Sequence, residues 1–121
     1  MKILFLNHNV IWRSTFFRCF HLGRYLVRRG HEVTIYTIHP KNRFGIEETV
    51  LQGVRVVQFP DWLWGIGRSG WDFFDLTQRL RRLGHETYDL VHAFDSRPVV
   101  IHPARALQRR GIPLVLDWAD W

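Results

Sequence analysis

Apolar and polar positions follow two rhythms along this chain. Five short apolar runs read as strands: residues 2–6 (KILFL), 31–38 (HEVTIYTI), 53–59 (GVRVVQF), 88–94 (YDLVHAF) and 112–117 (IPLVLD). The first, fourth and fifth are almost continuously apolar, as in parallel strands buried on both faces. Residues 49–53 predict a short hairpin arm leading into the third run. Helical spacing fills most of the gaps. Over 14–29, Phe16, Cys19, Phe20, Gly23, Leu26 and Val27 share one face, and Arg18, His21, Tyr25 and Arg28 share another. Ser14 suits the N-cap of that helix. Over 71–83, Phe73, Leu76, Leu80 and Leu83 form the expected inward stripe. Asp72 and Asp75 fall in the first turn, and Asp75 and Arg79 are spaced as a weak, exposed i,i+4 pair. A third helix follows Ser96-Arg97-Pro98 and runs to Arg110. Pro103 inside it predicts a kink or a late start.

Strands alternating with helices imply an α/β fold, an open, mostly parallel, Rossmann-like sheet flanked by helices. The expected strand order is 3-2-1-4-5, half of a doubly wound sheet. The sequence stops at Asp117-Trp118-Ala119-Asp120-Trp121, just past an apolar strand with no covering helix. The expectation is one Rossmann-like domain over 1–121, the truncated N-terminal part of a longer protein. Trp118 and Trp121 would then lie uncovered, and the fragment is expected to self-associate.

A length of 121 residues suits one such domain. Hydrophobic residues at 46% and charged residues at 23% exclude a disordered, collagenous or disulfide-scaffold chain. Cys19 is the single cysteine and has no partner in the chain, which fits a reduced, cytoplasmic setting. The net charge of +6 suits an anionic partner, and all basic residues except Lys2 and Lys41 are arginines, which fork onto phosphate and carboxylate. Three predicted helices end in Arg28-Arg29-Gly30, Arg81-Arg82-Leu83-Gly84 and Arg109-Arg110-Gly111. Cations and glycine suit helix C-termini, so these arginines read as caps. They are spread over three helix ends, so no nucleic-acid partner is expected. The apolar start breaks at Asn7-His8-Asn9, short of the roughly seven residues of a secretory core. No run approaches the roughly 20 residues of a spanning helix, so any membrane contact is peripheral.

Gly65-Ile66-Gly67-Arg68-Ser69-Gly70 spells a GxGxxG motif. It follows the third strand instead of the first, and the residue about 20 positions on, Asp89, starts a strand instead of ending one. It therefore reads as a flexible loop before a helix, and no dinucleotide cofactor is expected. In open α/β sheets, ligands bind at the carboxyl ends of strands near the switch point. Asn7, His8, Asn9, Arg13 and Ser14 follow the first strand, Asp95, Ser96 and Arg97 the fourth, and Asp117 and Asp120 the fifth. Asp95 or Ser96 equally suits a helix cap. Arg13 and Arg97 suit a bound phosphate or carboxylate, or pairing with Asp95 or Asp120. The seven histidines are scattered without ligand spacing, so no metal site is expected, and His92 reads as a hydrogen-bonded core residue. Trp62, Trp64, Ile66, Trp71, Phe73 and Phe74 concentrate near Arg68. Core packing with a partner-domain contact explains them better than a membrane-dipping segment.

Several segments, in order, resemble the N-terminal half of a GT-B glycosyltransferase of the glycogen-synthase-like, retaining group. They are MKILFLNHN, the helix start at Arg13-Ser14-Thr15-Phe16-Phe17-Arg18, LVRRGHEVTIYT, GVRVVQFP, YDLVHAFDSRP and RRGIPLVLDWAD. RRGHEVT and DLVHAFDS are the most specific. The resemblance implies two Rossmann-like domains facing a cleft, with this chain on the acceptor side. It implies sugar transfer from a nucleotide-sugar donor to the hydroxyl of an acceptor sugar, glycolipid or small molecule, with no structural metal. The family's donor-binding basic residue and glutamates belong to the other domain, so the fragment alone is expected to be inactive. The acceptor is expected on Asn7, His8, Arg13, Asp95, Ser96, Arg97 and Asp120. The loop after the first strand lacks the glycines many relatives carry, and Ala119 stands where many have a histidine before the aspartate aligned with Asp120. The alternative is a self-contained flavodoxin-like or receiver-like binding module. The segment Asn7-His8-Asn9 supplies neither the acidic cluster of a receiver nor the Ser/Thr phosphate loop of a flavodoxin.

Overall fold

The structure, a computed structural model, describes residues 1–13, 15–41, 44–63 and 70–117. In chain order the elements are β1 (Lys2–Val10), α1 (Thr15–Arg28), β2 (Glu32–Ile38), β3 (Glu47–Leu51), β4 (Val54–Phe59), α2 (Phe73–Leu83), β5 (Leu90–Phe94), α3 (Pro98–Arg109) and β6 (Leu114–Asp117). One open sheet runs β3-β4-β2-β1-β5-β6. All pairings are parallel except β3 against β4. This is the expected order, with the hairpin arm added as an edge strand. Gln52 and Gly53 turn that hairpin with φ of 48° and 85°, both left-handed as a tight two-residue turn requires. A Cβ on Gly53 would sit 2.8 Å from Val27 Cγ1, so packing against α1 also demands glycine.

Each sheet face has its own core. Ile3, Phe5, Val33, Ile35, Val54 and Val56 pack under Phe16, Cys19 and Phe20 of α1. The inward face of α1 is the one its sequence predicts. Leu4, Leu6, Tyr36, Val57, Phe59, Val91 and Ala93 pack under Leu83 of α2 and Val99, Val100, Ala104 and Leu107 of α3. Burial pushes the Cys19 thiol up, so it packs as an inert apolar side chain.

Several expectations need correction. The first strand runs on to Val10, with an irregularity in its pairing between Leu6 and Val10, so Asn7, His8 and Asn9 lie in the strand and not beyond it. The last strand is the sheet edge, and its Val115 and Leu116 are exposed, unlike a strand covered on both faces. Helix α3 begins directly at Pro98 and passes through Pro103 without a late start. Gly30 and Gly111 take the left-handed cap conformation expected of them, with φ of 93° and 90°, but Gly84 stays right-handed. The α2 terminus is capped from α3 instead: Arg110 donates to the carbonyls of Leu83 (3.1 Å) and Glu86 (3.3 Å).

The largest correction concerns the inward face of α2. Phe73 and Leu80 point outward, while Asp75 and Arg79, expected as an exposed pair, are fully buried with Leu83. Arg79 Nε donates to Asp75 Oδ1 at 2.8 Å, and its guanidinium lies 5.3 Å over the Phe59 ring. Its Nη1 donates to the Val99 carbonyl at 3.1 Å. That carbonyl lacks an intrahelical donor because Pro103, four residues on, has no N–H. The proline thus creates the buried acceptor that the arginine fills. Burial pushes the Asp75 carboxyl well up, against the pull of Arg79, and its contact with Asp61 pushes the same way. Asp75 Oδ2 has no donor.

A second polar cluster closes the β3–β4 side. Glu86 accepts from the Tyr36 hydroxyl, from the Tyr88 hydroxyl at 2.6 Å, and from Arg55 at 2.7 Å. Arg55 also donates to Glu48 at 2.9 Å, and Arg82 donates to Glu48 and Glu86. Burial alone would raise the Glu86 pKa, but these donors overcome it and hold it near 2.

Two measurements check these assignments. Arg79→Ala leaves the buried Asp75 carboxyl and the Val99 carbonyl without their donor, and it should cost about 3–5 kcal/mol in urea unfolding. A loss below about 1 kcal/mol would show that the buried group is not the anchor. Glu86 has its folded pKa held below the unfolded one, so its contribution is present above the ordinary glutamate range and is lost as pH falls towards about 2. Unfolding followed between pH 5 and pH 2 should show Glu86→Gln flattening the acid loss; parallel curves would contradict the assignment.

Candidate functional site

Strands β1 and β5 are neighbours whose following connections go to opposite faces, α1 to one and α3 to the other. That is the switch point of the sheet, where the carboxyl edge opens a crevice. Alternation along β1 sends consecutive residues to opposite faces. It divides the predicted residues into two groups.

Asn7 belongs to the group beside α1. Its Nδ2 donates to Thr37 Oγ1 at 2.9 Å and to the Asn9 carbonyl at 3.2 Å, and its Oδ1 accepts from Thr15 Oγ1 at 2.5 Å. Asn9 Nδ2 donates to Thr15 Oγ1 at 2.7 Å, and Thr37 Oγ1 donates to the Asn9 carbonyl at 2.6 Å. Asn7 is fully buried and its amide is occupied. It ties the irregular end of β1 to β2 and to the first residue of α1. Thr15 and Thr37, absent from the sequence-based set, complete this tie.

His8 faces the other way, towards Asp95, Arg97 and Gly70. Its Nε2 lies 3.2 Å from Asp95 Oδ2. The two are not aligned as a hydrogen bond, and neither ring nitrogen has a hydrogen-bond partner. Burial first, and then the Arg97 charge, lower the His8 pKa to about 4 against the pull of Asp95. The ring is therefore neutral near pH 7, a donor at one nitrogen and an acceptor at the other. Asp95 has a φ of 78°, which strains a residue bearing a Cβ. Two bonds hold it there: its N–H donates to the Asp117 carbonyl at 2.8 Å, and its Oδ1 accepts from the Ser96 N–H at 2.6 Å. Asp95 thus both caps the turn into α3 and presents Oδ2 to His8. Arg97 is the N-cap residue of α3 by position.

Gly70 closes this group and was not singled out from the sequence as a site residue. Its φ is 88°, and a Cβ there would lie 3.0 Å from His8 Cβ and 2.9 Å from Arg97 Cδ. Its carbonyl accepts from the Val99 N–H at 3.2 Å, and its N–H donates to Asp61 Oδ2 at 3.1 Å. The signal was present as the last glycine of the GxGxxG segment, the rest of which lies outside the described residues. Arg13 is exposed between β1 and α1. Ser14, Trp118, Ala119 and Asp120 lie outside the described residues.

Across the sheet edge, Asp117 accepts from Arg18 at 2.6 Å and lies 3.3 Å from His92 Nε2. His92 is hydrogen-bonded, as expected, with its side chain 15% exposed, and it stacks on Phe94 at 4.2 Å. Among the described residues, no group of three His, Cys, Asp or Glu side chains is placed to hold a metal ion. A cavity of about 450 Å³ opens at the opposite, amino-terminal edge, between Lys2, Glu32, Gly53, Arg55 and Tyr88. Arg55 there is paired with Glu48 and Glu86.

The carboxyl edge thus offers a neutral imidazole, a carboxylate and a hydroxyl together with arginine, a set suited to a polyhydroxyl ligand that carries an anionic group. No curated protein matched this sequence. Residues 18–117, most of the chain but without β1, match the family model described as Glycosyltransferase Family 4. The chain belongs to that glycosyltransferase family.

Proposed function

We propose that this chain is the acceptor-side domain of a glycosyltransferase that moves a sugar from a nucleotide-sugar donor to an acceptor hydroxyl with retention. The donor belongs to a second Rossmann-like domain facing the carboxyl edge. The observation that supports this most is the convergence of His8, Asp95, Ser96 and Arg97 at the switch point of a family-matched sheet.

Arg13, Ser96, Arg97 and Asp120 complete the acceptor edge with His8 and Asp95, and Asn7 holds its floor in place. Neutral His8 and Asp95 orient acceptor hydroxyls. The arginines favour an acceptor bearing phosphate or carboxylate, such as a glycolipid. Both reactants must be held together for transfer, so positioning is this domain's contribution. The setting is cytoplasmic, with buried Cys19 kept reduced.

Two experiments test the reading. In the protein joined to its donor domain, Arg13→Ala or Arg97→Ala should weaken acceptor use about tenfold or more while donor hydrolysis changes little. Unchanged acceptor kinetics, or a loss of stability in their place, would make these arginines structural. The 121-residue chain alone, mixed with nucleotide-sugars and acceptors, should transfer no sugar. Measurable transfer by it would sink the two-domain reading.

A further inference from the structure

The amino-terminal edge of the sheet, opposite the candidate site, gathers charge that the sequence spreads over three helices. Strands β1, β2, β4, β5 and β6 run parallel, so α1, α2 and α3 each return against them and end at the edge where the next strand begins. Arg28 and Arg29, Arg81 and Arg82, and Arg109 and Arg110 therefore meet at one edge. A helix C-terminus carries roughly half a negative charge, and two arginines at each end exceed what a cap requires. Arg110 donates to the Leu83 and Glu86 carbonyls, and Arg29 donates to the Tyr25 hydroxyl at 3.3 Å. Arg28, Arg81 and Arg109 are exposed, with no acidic partner among the described residues.

The acids of this edge leave that charge in place. Glu48 and Glu86 are held by Arg55 and Arg82, and Asp89 accepts the Lys2 N–H at 2.8 Å. Glu32 remains exposed, one charge among several of the opposite sign. The cavity of about 450 Å³ opens on the same edge. Val27 and Val33 give it an apolar wall, and Lys2, His31 and Arg55 line it with donors. Its volume suits one large side chain. The basic surface continues from it through bonded neighbours. Arg55 and Arg82 meet on Glu86 at 2.7 and 3.3 Å, and Arg110 reaches the Glu86 carbonyl at 3.3 Å. Val27 and His31 flank Arg28 and Arg29 at the end of α1.

Extent selects the occupant. Packed helices lie about 8–10 Å apart, farther than a small anion spans, whereas an extended chain advances about 3.3 Å per residue. Arginine forks onto carboxylate in two parallel bonds. Single-stranded nucleic acid needs exposed rings for its bases. Among the described residues this edge exposes only the Tyr25 ring, which Arg29 already covers at 5.7 Å. We propose that the amino-terminal edge docks an extended acidic segment of another protein. One apolar side chain of that segment enters the cavity, and its carboxylates lie on the arginines of the helix ends. His8 and Asp95 lie at the opposite edge, so the partner binds without covering the candidate site, whatever that site does.

Fluorescence anisotropy with the 121-residue chain tests it, using a dye-labelled synthetic peptide of glutamates around one central phenylalanine. The peptide should bind, and added salt should weaken it. Serine in place of the phenylalanine should weaken it about tenfold. The double variant Arg28→Gln/Arg109→Gln should lower affinity about tenfold or more in a chain that still unfolds cooperatively. Lys2→Gln, at the cavity, should weaken the phenylalanine peptide as well and gives a second reading if the double variant does not fold. Lys41→Glu removes the same net charge beyond the far end of β2 and should change little. The proposal is overturned if the folded chain ignores the peptide, or if the serine peptide binds as well as its parent. It is equally overturned if Lys41→Glu weakens binding as much as the double variant, which would leave net charge alone as the cause. An oligonucleotide of equal charge that binds more tightly than the peptide would assign the edge to nucleic acid instead.

Discussion

The carboxyl edge depends on a guanidinium that no water reaches. Arg79 joins three segments distant in sequence: Asp75 on its own helix, the Val99 carbonyl of α3 and the Phe59 ring at the end of β4. Through the Asp75–Asp61 contact it also reaches the chain leaving β4. Asp61 accepts the N–H groups of Leu63 (2.9 Å) and Gly70 (3.1 Å), so it fixes both ends of the intervening connection. Gly70 in turn packs on His8 and Arg97. The order of dependence runs from Pro103, which frees a carbonyl, to Arg79, to the carboxyl pair, to the glycine that roofs the site. A buried charge group of this kind adds little net stability over an apolar replacement but is costly to break in part. Its use here is to specify one orientation of α2.

The same orientation explains the outer surface. A helix has one inward face, and if Asp75 and Arg79 occupy it, Phe73 and Leu80 must leave it. The exposed aromatics and the buried ion pair are two consequences of one rotation. Asp72 serves both, capping α2 through the Phe74 N–H while holding the Trp62 backbone against the helix.

What could be read beforehand follows from where each partner lies. The sheet order was legible because the central strands are almost all apolar and the crossovers are right-handed by default. The inward face of α1 was legible for a similar reason, since Phe16, Cys19, Phe20 and Gly23 mark it without competition. The inward face of α2 was not. A count of apolar positions assigns Phe73 and Leu80 to the core, and the partners that draw Arg79 inward come from residues 61, 99 and 103. No local window contains them. The candidate residues were read as one group, whereas the strand divides them between two faces. Ending the first strand at Leu6, where polar residues begin, hid the alternation that separates Asn7 from His8. Polar residues inside a strand look like a loop when their buried partners, here Thr15 and Thr37, are out of view.

That separation also sorts structural from functional polarity. The amide of Asn7 is fully used by its neighbours, so its burial needs no ligand to explain it. His8 is as buried, yet both of its nitrogens lack hydrogen-bond partners, and it faces a carboxylate on a strained backbone. Unspent hydrogen-bonding capacity and a left-handed aspartate each cost stability, and a structure retains such costs where the surroundings hold them for use. Two buried polar residues, adjacent in sequence and equally hidden from solvent, are thus distinguished by what remains unsatisfied. By that criterion the candidate site is centred on His8 and Asp95, with Gly70 as its roof and Asn7 as its foundation.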